Sequence, residues 1–346
     1  MTFIRDINSE EPSSSAQHLA LSTQHCFISV VVPTYKRPEL LNRCLTALFM
    51  QTLDSSHYEI VVVDDGPTDE TRQVVLSWSQ KSGPRVRYFT NDTRHGPAAA
   101  RNRGWQAADG DVIAFTDDDC IPAADWLEVG SAPFADSTVQ GISGRIIVPV
   151  PIAPTDYERT VAGLEHGPFA TANCFYRRGV LAGVGGFDER FTVAWREDTD
   201  LEFALRAQGH RLVRQPAAIV VHPVRPTRWG ISLTLQRNNI FNALLYKKHP
   251  LLYRWFIQPA PPWRYYVTLI ALAGTGLALA MGSTWAALLG VAVWLGLTAE
   301  FCLRRLATTS HRFEHVVEMI VTSALIPPLA IFWRLRGALR YRVVFL

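Results

Sequence analysis

Between Phe27 and about Phe134 the chain alternates short apolar runs with longer amphipathic ones. That alternation restricts it to βα units around a mostly parallel sheet, an α/β fold of Rossmann-like type. The spacing predicts strands over 28–32, 59–63, 86–89 and 112–115, each followed by a helix, over 38–51, 68–80, 97–108 and 123–134. Leu41, Leu45, Leu48 and Phe49 fall on one face of the first helix. Pro38 and Pro97 suit first-turn positions, where a missing N–H costs nothing. Open parallel sheets collect their ligands at the carboxyl ends of the strands. The segments 33–37, 64–65, 91–94 and 117–119 are therefore expected to share one crevice.

One strand end stands apart. The run Val112-Ile113-Ala114-Phe115 empties into Asp117, Asp118 and Asp119. Three carboxylates at the end of a buried strand repel one another unless a cation joins them, so they read as a divalent-metal site with hard oxygen ligands or else as a solvated acidic loop. The second strand ends in the same manner, in Asp64-Asp65-Gly66.

Residues 139–222 change character, with predicted strands over 141–150 and 172–176 and a glycine-dense turn over 183–186. Thr199 and Glu202 have capping-box spacing and are expected to start a helix that Gly209 ends. Asp198 then sits just before a helix N-terminus, where the dipole favours its charged form. His222 follows another apolar run, 218–221, and is either a structural histidine or a ligand.

Charge is unevenly distributed over the 346 residues: residues 1–225 hold 21 Lys/Arg against 28 Asp/Glu, and residues 226–346 hold 13 against 3. An acidic body joined to a basic, apolar tail points to a membrane surface rather than to nucleic acid, for which no aromatic-interleaved basic stripe is present. The stretches 265–282 and 285–301 are predicted to form a membrane hairpin, with Arg254 and Arg264 on the same side as Arg304 and Arg305. That orientation keeps the catalytic body on the cytoplasmic side of the inner membrane. Residues 316–333, with Pro327-Pro328 inside, are expected to be interfacial or re-entrant. Residues 226–264 read as a basic amphipathic linker lying on anionic lipid or packed on the catalytic body. Residues 1–26 are polar and Ser-rich, an expected flexible lead-in. Five scattered cysteines without a Cys-x-x-Cys pair indicate neither disulfides nor a zinc site.

Taken in order, Val31-Val32-Pro33-Thr34-Tyr35-Lys36-Arg37-Pro38, Val63-Asp64-Asp65-Gly66, Ala100-Arg101-Asn102-Arg103-Gly104, Asp117-Asp118-Asp119 and Glu197-Asp198 resemble the family-two glycosyltransferases with the GT-A fold, over residues 27–225. The resemblance implies an inverting transfer from a nucleotide-diphosphate sugar, a UDP-sugar favoured, with Mn2+ or Mg2+ as cofactor. It also assigns roles. Pro33, Thr34, Tyr35 and Arg37 line the nucleotide pocket, Asp65 bonds the base and Arg101 contacts diphosphate. Asp117 or Asp118 faces the ribose, Asp119 ligates the metal, and His222 completes its shell in some members. Asp198 is the general base, supported by Glu197. The Gln-x-x-Arg-Trp run of processive synthases is absent, which favours transfer of one sugar or a few. The membrane tail makes a lipid or lipid-linked glycan the expected acceptor. Two other functions fit less well. A sugar nucleotidyltransferase would need a Gly-rich loop where 33–37 stands, and a non-catalytic nucleotide-sugar-binding scaffold would not need the Glu197-Asp198 pair.

Overall fold

The computed structural model describes residues 26–93 and 95–345. The expected lead-in, Cys26 apart, and Arg94 lie outside the described residues. The first half is built as the alternation predicts: β1 (Ile28–Thr34), α1 (Pro38–Phe49), β2 (Tyr58–Asp64), α2 (Asp69–Ser79), β3 (Arg85–Thr90), α3 (Pro97–Ala107) and β4 (Val112–Phe115). β1, β2 and β4 are buried at every position, which is why they read as unbroken apolar runs rather than alternating ones. β5 (Ile121–Pro122), α4 (Trp126–Ser131), β6 (Val139–Ile147), α5 (Asp156–Ala162), β7 (Cys174–Arg177), α6 (Arg178–Val184), α7 (Glu197–Ala207) and β8 (Arg211–Val221) follow.

All eight strands form one sheet in the order β3-β2-β1-β4-β7-β6-β8-β5. β1 pairs parallel with β2 and β4, and β2 with β3, whereas β7 runs antiparallel to both β4 and β6. The chain direction thus switches beside β4, the strand that ends in the three aspartates. Helix α3 approaches β1 closely because residue 104 is glycine; a Cβ there would collide with Val31 Cγ1. That approach delivers Arg101, one turn earlier, beneath the carboxyl end of β4.

The capping expectation fails. Helix α7 begins at Glu197, after Arg196 in the left-handed region at φ 76°, and Thr199 lies inside its first turn. Asp198 Oδ1 takes the Thr199 N–H at 2.6 Å, and Glu202 accepts from Arg206 one turn on. Asp198 thus takes one first-turn N–H, and the acidic residues of that turn suit the positive end of the helix dipole. Gly209, at φ 76°, does follow the helix end.

The tail comprises α8 (Ile231–Leu235), α9 (Asn239–Lys248), α10 (Pro250–Phe256), α11 (Trp263–Ala280), α12 (Thr284–Leu306) and α13 (Phe313–Tyr341). Part of the 226–264 stretch packs on the catalytic body, as one of its two expected behaviours requires. Phe241, Leu244 and Leu245 of α9 are buried with Phe191 and Phe203 of the catalytic body. At roughly 1.5–3 kcal/mol for each fully buried large apolar side chain, this seam alone anchors α9 to the domain. Lys248 adds ion pairs to Asp188 at 2.8 Å and Asp200 at 2.6 Å. Trp229, Trp255 and Phe256 remain exposed.

Helices α11 and α12 form an antiparallel hairpin, closed at its root by Arg264 donating to Glu300 at 2.5 Å. Its outer face is apolar, with Ile270 69%, Leu289 67% and Trp285 85% exposed. Residues 316–333 lie within α13, a single helix of 29 residues that contains both prolines rather than folding back on itself. α12 and α13 are both long and apolar enough to cross a membrane. The apolar window of α12 is 11% buried and that of α13 39%, so α12 faces outward while α13 also packs along α9.

Candidate active site

A cleft of about 1010 Å³ opens at the carboxyl ends of β1, β2 and β4. Pro33, Thr34, Tyr35, Arg37, Asp65, Arg101, Asp117, Asp118, Asp119, Glu197, Asp198 and His222, the twelve residues singled out in the sequence, all line it. The topology therefore gathers six separated segments where a doubly wound sheet places its ligands.

The three aspartates are held differently. Asp117 receives Arg101 at 2.6 Å. Burial, the largest single influence, works against its charge, but Arg101, His222 and Arg37 together hold the carboxyl below the ordinary range. Asp118 accepts from Thr34 Oγ1 at 2.7 Å and Arg37 at 3.3 Å. Burial pushes it up to about 6, with Arg37 opposing and Asp119 adding. Asp119 is flanked by Arg225 Nε at 3.0 Å, His222 Nε2 at 3.6 Å and Arg37 at 4.0 Å. Guanidinium groups from two separate loops thus stand beside the carboxylate that the sequence assigns to a cation.

Arg101 is 2% exposed and spans two carboxylates, Asp117 and, at 2.9 Å, Glu197 Oε1. Its expected contact with diphosphate meets a side chain already committed to ion pairs inside the protein. Burial and the neighbouring Asp198 charge push Glu197 up to about 7 against the pull of Arg101, and Glu197 Oε2 has no hydrogen-bond partner among the described residues. Asp65, expected at the base, accepts from Asn91 Nδ2 at 2.8 Å and from the backbone N–H groups of His95 and Gly96 at 2.9 and 2.7 Å. It therefore also fixes the loop that starts α3.

Asp117, Asp119, Cys120 and His222 each offer a ligand atom, all within 4.8 Å of one another. This donor set fits a divalent cation, with carboxylate oxygens for a hard ion and an imidazole beside them. Sequence reasoning missed Cys120 and Arg225. Neither belongs to a spaced motif: Cys120 directly follows Asp119, and Arg225 stands three residues after His222. It also missed Trp195 and Arg196, which line the cleft beside Glu197. Arg196 Nε donates to Asn242 of α9 at 3.0 Å, tying the catalytic loop to the tail.

A curled, mostly parallel sheet with an acidic cluster at its switch point is the architecture of the GT-A glycosyltransferases. The sequence profile described as "Glycosyl transferase family 2" matches residues 29–182. The glycosyltransferase AglE of Haloferax volcanii is 30% identical over 211 residues, which cover 58% of this chain and 68% of that protein. The GalNAc(5)-diNAcBac-PP-undecaprenol beta-1,3-glucosyltransferase of Campylobacter jejuni is 38% identical over 93 residues, 27% of this chain and 29% of that protein. In fold, the chain is similar to the mannosyltransferase PcManGT from Pyrobaculum calidifontis, solved with GDP-Man and Mn2+. The TM-score is 0.60 at 21% identity, covering 90% of this chain and 88% of that one. The chain belongs to glycosyltransferase family 2, and it is a glycosyltransferase.

Proposed function

We propose that this protein moves a sugar, with inversion, from a nucleotide-diphosphate sugar to a hydroxyl of a lipid or lipid-linked cell-envelope glycan at the cytoplasmic face of the inner membrane. The observation that carries the reading is the convergence of all twelve residues on one cleft, with the aspartate cluster on its floor and Asp198 at the start of α7. UDP-sugars are the favoured donors; the similarity to a protein solved with GDP-Man makes GDP-sugars the first comparison.

Asp119 and His222 would hold Mn2+ or Mg2+, which when bound supplies Lewis-acid stabilisation of a leaving diphosphate. The remaining chemistry belongs to side chains. Arg37 and Arg225 place positive charge where the leaving group develops its negative charge. Asp198, its Oδ1 pinned by the Thr199 N–H, takes the proton of the acceptor hydroxyl as the new glycosidic bond forms. The bond from the anomeric carbon to the diphosphate oxygen breaks on the opposite face. Direct displacement inverts the anomeric centre and needs no protein nucleophile.

The acceptor class rests on the apolar hairpin and on Arg264, Arg304 and Arg305 at its root. A relative whose name specifies an undecaprenol-linked substrate supports it. Purified full-length protein in lipid, given UDP-, GDP- and dTDP-sugars with Mn2+ and a polyprenyl-linked acceptor, is expected to transfer at least one sugar. Asp119→Ala should abolish transfer, and Asp198→Asn should lower it on the order of 10²–10⁴-fold, in protein with unchanged circular dichroism. Near-normal turnover of Asp198→Asn would overturn the base assignment. Equal transfer to soluble sugars without any membrane would overturn the acceptor class.

A further inference from the structure

Cys120 follows Asp119 directly, is fully buried, and offers its sulfur within 4.8 Å of ligand atoms on Asp117, Asp119 and His222. Nothing in the transfer chemistry uses a thiol. Mg2+ and Mn2+ prefer oxygen donors, so a sulfur beside their site adds nothing for them. For a borderline or soft cation the same four atoms are a different site: one sulfur, one imidazole nitrogen and carboxylate oxygens, the donor classes that bind zinc. Donors around a tetrahedral ion stand roughly 3.5 Å apart, as metal–ligand bonds of about 2.0–2.3 Å require. The observed spread of up to 4.8 Å needs each side chain to close in by an ångström or less.

Two further observations point to a ligand. His222 is 8% exposed and its Nδ1 has no hydrogen-bond partner among the described residues, while its Nε2 stands 3.6 Å from Asp119. At 3.6 Å, Nε2 lies beyond hydrogen-bond distance of Asp119, so among the described residues neither ring nitrogen is hydrogen-bonded and Nε2 faces the cluster with a lone pair available to a cation. The chain between these ligands is also rigidly placed. His222 N donates to Ile147 O at 2.8 Å and Cys120 N to Asp117 O at 3.1 Å, so both are presented from hydrogen-bonded backbone.

We propose that Asp117, Asp119, Cys120 and His222 form a Zn2+-class site overlapping the catalytic cation site, through which zinc or a similar soft cation displaces Mn2+ or Mg2+ and arrests transfer. The inference rests on the reading of Asp119 and His222 as metal ligands and extends it to a fourth residue. As the metal–sulfur bond forms, the thiol proton passes to solvent. Asp119 and His222 would then be held by the soft ion and no longer available to the catalytic one.

The test uses the full-length protein in detergent, with Cd2+ alone as the spectroscopic probe and Mn2+ alone as the control ion. One equivalent of Cd2+ is expected to raise an ultraviolet thiolate-to-metal charge-transfer band. Cys120→Ser should lose the band and weaken Cd2+ binding by more than about tenfold, while Mn2+ affinity, read by electron paramagnetic resonance, stays within about twofold. Cys120→Ala repeats the measurement should the serine variant not fold. Cys44→Ser, which alters a neighbouring buried thiol, should keep the band. A wild-type protein that binds Mn2+ but shows no charge-transfer band overturns the soft-cation site and leaves the catalytic metal reading intact. A band that survives Cys120→Ser assigns the sulfur elsewhere and likewise overturns it. Failure to bind either ion overturns both readings.

Discussion

Arg101, on the helix after β3, donates to Glu197 Oε1 at 2.9 Å across 96 residues of sequence while its other terminal nitrogen holds Asp117 at 2.6 Å. One buried guanidinium thus joins the floor of the cleft to the helix that carries Asp198. Removing it leaves two carboxylates facing one another in a buried setting, a loss of about 3–5 kcal/mol for a broken buried pair. Arg101→Leu is therefore expected to lower the thermal unfolding midpoint in detergent strongly. Arg101→Lys, whose single ammonium cannot span both acids, should fall between. An unchanged midpoint for the leucine variant would show that the bridge carries no stability.

Glu197 gives the fold a pH dependence of definite sign. Burial first, then the charge of Asp198, raises its carboxyl from 4.5 to about 7 in the folded protein. Across that window the folded state binds more protons than the unfolded chain, so this residue makes stability fall as pH rises from about 4.5 to about 7. Glu197→Gln should flatten that part of the profile. Parallel stability–pH curves for the two proteins would refute the assignment.

The order of βα units, the strand ends that matter and twelve of the residues that line the cleft were legible in the sequence, because fully buried strands leave unbroken apolar runs that end abruptly in polar residues. Position was easier to read than partnership. Arg101 looked like a ligand residue on a helix, yet the close approach allowed by Gly104 buries it in two ion pairs. The Thr199–Glu202 spacing matched a capping box, but carboxylates one and two residues earlier already occupy the helix start. The 226–264 stretch carries both exposed tryptophans and a buried helix, and its composition averages the two. Cys120 has no histidine or second cysteine in its own segment to signal a soft-metal site. His222, 102 residues later, reaches it only because β8 pairs with β5 and β6.

Gly185 and Gly186 offer a controlled comparison. Both have left-handed backbone, at φ 78° and 74°, but a Cβ at 185 meets nothing within 4 Å. At 186 it would be driven into the Asn102 side-chain oxygen and stand 2.7 Å from Trp105 Nε1. Gly185→Ala should cost only the backbone term, roughly 1–2 kcal/mol. Gly186→Ala adds about 1–3 kcal/mol of overpacking and disturbs Asn102, which brackets Phe187 through bonds of 2.8 and 2.9 Å. Because Asn102 adjoins Arg101, the second variant should also lose transfer activity, and the first should not. Equal effects of the two substitutions on unfolding would mean that the collision is relieved elsewhere.

Arg225 makes a prediction with opposite signs in two measurements. Its Nε lies 3.0 Å from Asp119 Oδ2 and neutralises the carboxylate that a catalytic cation would need. Ion and guanidinium compete for that oxygen, so Arg225→Ala should bind free Mn2+ more tightly. The pair is partly exposed and worth up to about 1 kcal/mol, which limits the gain to about fivefold. Once a cation holds Asp119, the freed guanidinium faces the cleft where a leaving diphosphate gathers charge, and its loss should lower turnover by roughly 10²–10³-fold. Electron paramagnetic resonance gives the first quantity, and transfer rate at saturating donor gives the second. A fall in both would make Arg225 a structural support of the metal site, and no change in either would make it a bystander. Only tighter Mn2+ binding with slower transfer fits a residue that changes partner between the empty and the occupied cleft.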